Sequence, residues 1–173
     1  MRSSFIILLV FLCVASLWSQ NVRITDSEAS IKFVFLDNQV EGTIGGFRFT
    51  GAVDVNNLEA STFSGTVQME SLDTNNWLRN RHLRAKKYFY NKAHPTLQFS
   101  SSKVISNTSD NDFTIEGVLT IKGISKPVVW TVQKANNQLN LTCALNTADF
   151  NIWIHKEKQR NKVRVQMTLP YVY

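Results

Sequence analysis

From Ala29 onward, apolar side chains recur at every second position in run after run, the period that sends successive side chains to opposite faces of a β-strand. Ile31, Phe33 and Phe35 share one parity, as do Phe47, Phe49, Val53 and Val55, and then Phe63, Val67 and Met69. Leu97 and Phe99 follow, then Phe113, Ile115, Leu119 and Ile121, then Val128, Trp130 and Val132. The last two runs are Leu139, Leu141, Cys143 and Leu145, and Val163, Val165, Met167 and Leu169. Each run is apolar on one side only. The pattern predicts eight or nine strands that turn those sides toward a shared interior.

The breaks carry turn chemistry: Asp37-Asn38, Gly45-Gly46, Asn56-Asn57, the stretch 107–111, Lys122-Gly123 and Asn136-Asn137. The last of these sits between two alternating runs as a two-residue hairpin connection does. Connections this short make neighbouring strands antiparallel, and closing the sheet removes the exposed edges that invite aggregation. The expected fold class is therefore all-β, an antiparallel lipocalin-like β-barrel of about eight strands with a short helical insert. A two-sheet sandwich satisfies the same alternation, because periodicity does not register closure. Gly51, Gly65 and Gly117 fall on the apolar parity inside strands, where glycine serves either to bend a sheet or to leave room for a ligand.

Between residues 70 and 96 the period changes. Thr74 or Asp73 is placed to cap a helix whose good formers run from Trp77 to Lys87. Leu78, His82, Ala85 and Phe89 fall at helical spacing, which predicts that one side of this insert lies across the barrel mouth. The insert is also basic, with Arg79, Arg81, Arg84, Lys86 and Lys87 close together. Arginine recognises phosphate or carboxylate through a planar pair of N–H donors, so Arg79, Arg81, His82 and Arg84 are candidate head-group contacts on a rim. The competing reading is a solvated rim whose charges pair with acids such as Asp73. A second basic segment, from His155 to Lys162, joins the last two strands and is a candidate for peripheral contact with an anionic membrane surface, or a plain polar loop.

At the start of the chain, Arg2 precedes the apolar run from Phe5 to Leu17, which is shorter than the ~20 residues that span a bilayer. Residues 1–20 are read as a cleaved signal peptide and 21–173 as a single domain, secreted or periplasmic. An uncleaved anchor is the competing reading, since Leu17 is poor where a small residue is preferred. The region after the leader is long enough for one core without a metal or disulfide staple. Cys143 is its single cysteine, flanked at alternate positions by Leu141 and Leu145, which points to a buried thiol. The formal charge of +6 becomes +5 once Arg2 is removed. A basic surface favours anionic lipid, envelope polymer or nucleic acid, and secretion disfavours the last.

The residues that would carry chemistry are sparse. His82, His94 and His155 lie far apart, without the paired spacing of a metal site, so no metal and no cofactor are expected. No nucleophile elbow, phosphate-binding glycine loop or paired catalytic carboxylates occur, and no catalytic residue is nominated. The aromatic side chains either pack a solid core or line a cavity, and an eight-stranded barrel sits at the size where both outcomes occur.

Three segments resemble the YceI-like family. Asp73-Thr74, Arg79-Asn80-Arg81-His82-Leu83-Arg84 and Tyr88-Phe89 make the first; the stretch from His94 to Ser101, close to P-x-x-x-F-x-S, makes the second; and Gly117 to Val128, similar to G-x-L-T-I-x-G-x-x-K-P-V, makes the third. The resemblance covers nearly all of 21–172. It implies an extended antiparallel barrel enclosing a long amphiphile, an isoprenoid or acyl chain, bound without chemistry. The lining expected on that basis comprises Phe33, Phe47, Phe49, Phe63, Val67, Phe99, Phe113, Leu119, Trp130, Leu141 and Val165. Asn80 stands where the family pattern carries aspartate, and the first strand has Phe33-Val34-Phe35 where a histidine is common. The rival readings are an envelope lipid-modifying enzyme acting through His82 or Arg79, and an adhesion or stress-response module with a filled interior.

Overall fold

A computed structural model describes residues 21–107 and 111–173, so the expected leader and part of the turn at 107–111 lie outside the described residues. The strands are β1 (Asn21–Ile24), β2 (Ser30–Phe35), β3 (Val40–Thr43), β4 (Arg48–Phe49), β5 (Val53–Asp54) and β6 (Ser64–Gln68), followed by the helix α1 (Trp77–Arg84). The longer strands β7 (Thr96–Ser106), β8 (Asp112–Ile121), β9 (Ile124–Ala135), β10 (Gln138–Asn146) and β11 (Lys162–Val172) complete the chain.

Every pairing is antiparallel, in the order β3-β2-β11-β10-β9-β8-β7-β6-β4. The ends of this path meet. Thr43 and Asp73 exchange backbone hydrogen bonds at 2.8 and 2.9 Å, and the Gln68 N–H donates to the Gly45 carbonyl at 3.0 Å. At the opposite end, β1 pairs with both β11 and β5, and Ala52 bridges to Thr62 across from β6. The sheet is thereby curled into a barrel.

The hairpins follow from turn chemistry. Asn136 and Asn137 hold φ of 52° and 55°, and Lys122 and Gly123 hold 53° and 75°, the paired left-handed geometry that matches the twist of two-residue hairpins. Three departures from the sequence expectation concern the short strands, the first being β3, which belongs to none of the alternating runs. β1 precedes the first alternating run and earns its place by bridging β11 to β5. The run from Phe47 to Val55 is divided at Gly51, where a Cβ would overlap the Thr62 carbonyl, into β4 and β5. Eleven strands result, more than the eight or nine expected.

The interior has two parts. At the end closed by β1 and β5, Val53, Phe113, Ile115, Val132 and Leu139 are fully buried in a solid core. At the end capped by α1, Met69, Leu72, Leu83, Phe89, Phe150 and Ile152 form a second cluster. Between β9 and β10 the ladder runs only from Thr131–Ala135 to Gln138–Thr142, whereas β10 and β11 stay paired from Gln138 to Asn146.

Candidate functional site

The space between the two clusters is not filled. A cavity runs through the barrel, and the space between its walls not filled by protein atoms is about 1080 Å³, open solvent at the opening included. Its wall holds Phe33, Phe47, Phe49, Phe63, Val67, Phe99, Leu119, Trp130, Leu141 and Val165, ten of the eleven positions named as its expected lining. Phe113 is the exception. It shares the inward parity but sits in the sealed core, its ring tilted against Phe63 with centres 6.1 Å apart, because periodicity reports the face of a strand and not the height along the barrel. The wall also includes Ile31, Phe35, Ile44, Leu97, Leu145, Val163, Met167 and Leu169, most of which belong to the same alternating runs, and Leu72 and Phe89 from the insert.

No Lys, Arg, Asp or Glu lines the cavity among the described residues. Its polar side chains are few: Ser64, Thr66, Gln98 and Thr147, the last donating to the Ile152 carbonyl at 2.9 Å. The Trp130 indole N–H is buried without a protein acceptor. Such a wall desolvates apolar chain well and an ionised group at great cost.

Glycines set the shape of the wall. A Cβ at Gly42 would overlap the Phe33 ring, one at Gly117 would overlap the Phe99 ring and the Ser100 carbonyl, and one at Gly65 would come within 3.0 Å of the Phe47 ring. At Gly65 and Gly117, the room left by the missing side chain is taken by an aromatic ring of the protein. Phe99 is in turn held edge-on to Trp130, ring centres 6.1 Å apart.

The expected rim is built differently from the sequence reading. Asn76, not Thr74 or Asp73, caps α1, its side chain accepting from the Arg79 N–H at 2.9 Å. Arg79 donates to the Thr74 hydroxyl at 2.8 Å and to the Thr74 carbonyl at 2.7 Å. Arg84 donates to the Leu72 carbonyl at 2.7 Å and pairs with Glu70 at 3.1 Å. Both arginines therefore hold the segment before the helix, and neither reaches the cavity wall. Arg81 and His82 are exposed. The inward residues of α1 are Asn80 and Leu83, whereas Leu78, His82 and Ala85 face solvent. Asn80 explains the inversion: it accepts from the Thr74 N–H at 2.9 Å and hydroxyl at 2.6 Å and donates to Asp73 at 2.7 Å, so polar bonds orient this two-turn helix. Hydrogen bonds from Asn80 and from the Asn75 backbone hold the Asp73 carboxyl below the usual range.

A second cap comes from 147–161. Its organiser is Asn161, which is fully buried. The Asn161 side chain accepts from Ile154 N–H and His155 N–H at 2.8 and 2.9 Å and donates to the His155 and Glu157 carbonyls at 3.0 and 2.8 Å. Arg160 clamps Asp37 on the β2–β3 turn with two bonds of 2.8 Å, which holds the Asp37 carboxyl below the usual range. His155 Nε2 lies 3.2 Å from the same carboxylate. The Lys122 ammonium joins the two caps, donating to the Asn151 carbonyl at 3.2 Å and the Lys87 carbonyl at 3.4 Å. Cys143 is buried, and burial pushes its thiol up to about 11.

The described residues contain no group of three or more His, Cys, Asp or Glu side chains arranged to hold a metal ion. The arrangement offers a greasy chamber under a polar, basic cap.

Comparison with known proteins places this chamber in a family. Residues 22–171 match the YceI-like domain. A UPF0312 protein of Photorhabdus laumondii is 33% identical over 88 residues, 51% of this chain and 45% of the relative. Protein YceI of Escherichia coli is 34% identical over 87 residues, 50% of this chain and 44% of that protein, so the alignments span less than half of these relatives. Among solved structures, BcnA of Burkholderia cenocepacia superposes with a TM-score of 0.74 at 19% identity, covering 87% of this chain and all of BcnA. A polyisoprenoid binding domain from Saccharophagus degradans, implicated in plant cell wall breakdown, superposes with a TM-score of 0.59 at 13% identity over 87% of this chain and 96% of that domain. The barrel is common to both structures, and the match over 22–171 shows that this chain belongs to the YceI-like family.

Proposed function

We propose that this protein is a non-catalytic carrier that sequesters or transports a long-chain amphiphile, an isoprenoid, quinone-like or acyl lipid, in its barrel. The observation that carries this reading is the continuous apolar wall without a charged side chain. Each buried methylene contributes about 0.8 kcal/mol, so such a wall retains a chain without specific polar contacts. The polyisoprenoid-binding neighbour supports the ligand class. Secretion through a cleaved leader, to the periplasm or beyond, completes the proposal and is checked by N-terminal sequencing of the mature protein.

Native mass spectrometry of the purified protein, followed by solvent extraction, tests the reading. The expected result is a mass increment that disappears on extraction and is recovered as a chain-like lipid. Repeated isolation of an empty barrel with no affinity for prenyl or acyl chains would remove the carrier function. The enzyme alternative requires turnover dependent on His82 or Arg79. Unchanged lipid after prolonged incubation counts against it.

A further inference from the structure

The net charge of this molecule is concentrated at one end. The segments 36–41, 69–95, 122–126 and 147–162 make up the turns and caps at the α1 end of the barrel. They hold twelve of the chain's nineteen lysines and arginines and six of its thirteen acids, a net of +6, equal to the formal charge of the whole chain. Everything else, Arg2 included, sums to zero. Several of these cations are already engaged: Arg84 with Glu70, Lys158 with Asp149 at 2.6 Å and Arg160 with Asp37. Arg81, Lys86, Lys87, Lys92 and Lys156 are exposed and, among the described residues, form no ion pair with an acid.

The same end exposes large apolar side chains. Trp77 is 72% and Leu78 46% exposed on α1, and Trp153 is 44% exposed on the 147–161 cap. Tryptophan with one apolar body and one N–H favours the boundary between lipid and water, and unpaired cations around it favour anionic head groups. Neither feature serves the barrel. Asn80, Leu83 and Phe150 make the inward contacts of these two caps, and Trp77 and Trp153 are left outside.

We propose that the α1 end docks peripherally on an anionic bilayer, with Trp77, Leu78 and Trp153 inserted at the interface and Arg81, Lys86, Lys87 and Lys156 on the lipid phosphates. The cavity reaches this end through Leu72, Phe89 and Thr147, so docking brings that end of the cavity to the membrane. This proposal goes beyond the carrier reading and holds whether or not the cavity is occupied.

Co-sedimentation of the mature protein with vesicles of phosphatidylglycerol and phosphatidylcholine, against vesicles of phosphatidylcholine alone, is the test. Binding to the anionic vesicles is expected to fall steeply with salt. Trp77→Ala with Trp153→Ala is expected to weaken it about tenfold, since each ring removes a large apolar surface. Replacing Lys86, Lys87 and Lys156 by Gln should weaken it about fivefold per residue. Arg23→Gln with Lys134→Gln, away from this end, should leave it unchanged. All these side chains are exposed except Lys134, which is half-buried and donates to the Val55 carbonyl at 3.3 Å, and an unchanged thermal midpoint certifies the fold of each variant. Equal binding to both vesicle types, no binding to either, or full binding by the double tryptophan variant would overturn the proposal. Uptake of a water-soluble short-chain alcohol, measured without vesicles, reports on the cavity separately.

Discussion

The length of the apolar wall sets a limit on the chain it can hold. On β11 the wall runs from Val163 through Val165 and Met167 to Leu169. Six residue rises of about 3.3 Å make that about 20 Å. A saturated chain with bonds of about 1.5 Å and angles of about 111° advances about 1.25 Å per carbon, so about sixteen carbons fit in extended form. Each methylene buried contributes about 0.8 kcal/mol, close to fourfold in affinity. In a graded series of straight-chain alcohols measured by calorimetry or displacement, affinity should climb two- to fourfold per carbon up to about sixteen and flatten beyond. Val165→Trp places a ring near the middle of that wall and should bring the plateau down to about eight carbons. A flat profile from ten to sixteen carbons, an undiminished slope past twenty, or a Val165→Trp profile like the wild type would refute the reasoning.

Three further outcomes follow from the caps and the core. Asn161→Ala removes four hydrogen bonds from a fully buried site and should cost about 3 kcal/mol, lowering the thermal midpoint by roughly 6–12 °C; a change under 2 °C would show that the cap re-forms without it. The Asp37 carboxyl is depressed by Arg160, so its stabilising contribution is present above the unfolded value near 3.9 and is lost as pH falls through the lower folded value. Carboxyl NMR should show that midpoint rise in Arg160→Gln, and an unmoved midpoint would exclude the clamp as its cause. Cys143, with its thiol pushed up to about 11, should resist thiol reagents at pH 8 until denaturant is added, and rapid labelling of the folded protein would contradict its burial.

Parity located most of the wall, because a side chain's face on a strand is local information. Phe113 shows where that information stops: its height in the barrel depends on β1 and β5 sealing one end, a long-range arrangement. The basic insert was legible as a helix, but not its orientation. Leu78, His82 and Ala85 have the spacing of an inward face, yet Asn80 wins through bonds to Asp73 and Thr74 that no hydrophobic pattern encodes. The roles of Arg79 and Arg84 were hidden for a similar reason, since each reaches a backbone carbonyl as well as a side chain, Thr74 or Glu70, and composition reports neither the carbonyl nor which side chain is in reach. Asn161 gave no signal at all beyond its place in a polar stretch.

The couples of glycine and phenylalanine, Gly42 with its register partner Phe33, Gly65 with Phe47 just before β4, and Gly117 with Phe99 on the neighbouring strand β7, tie the contour of the chamber to positions that touch across the sheet. Neither member changes alone without collision or vacancy. A descendant that accommodates a bulkier guest must therefore alter both halves of a couple together, and its reshaping proceeds by joint replacements rather than by drift at single sites.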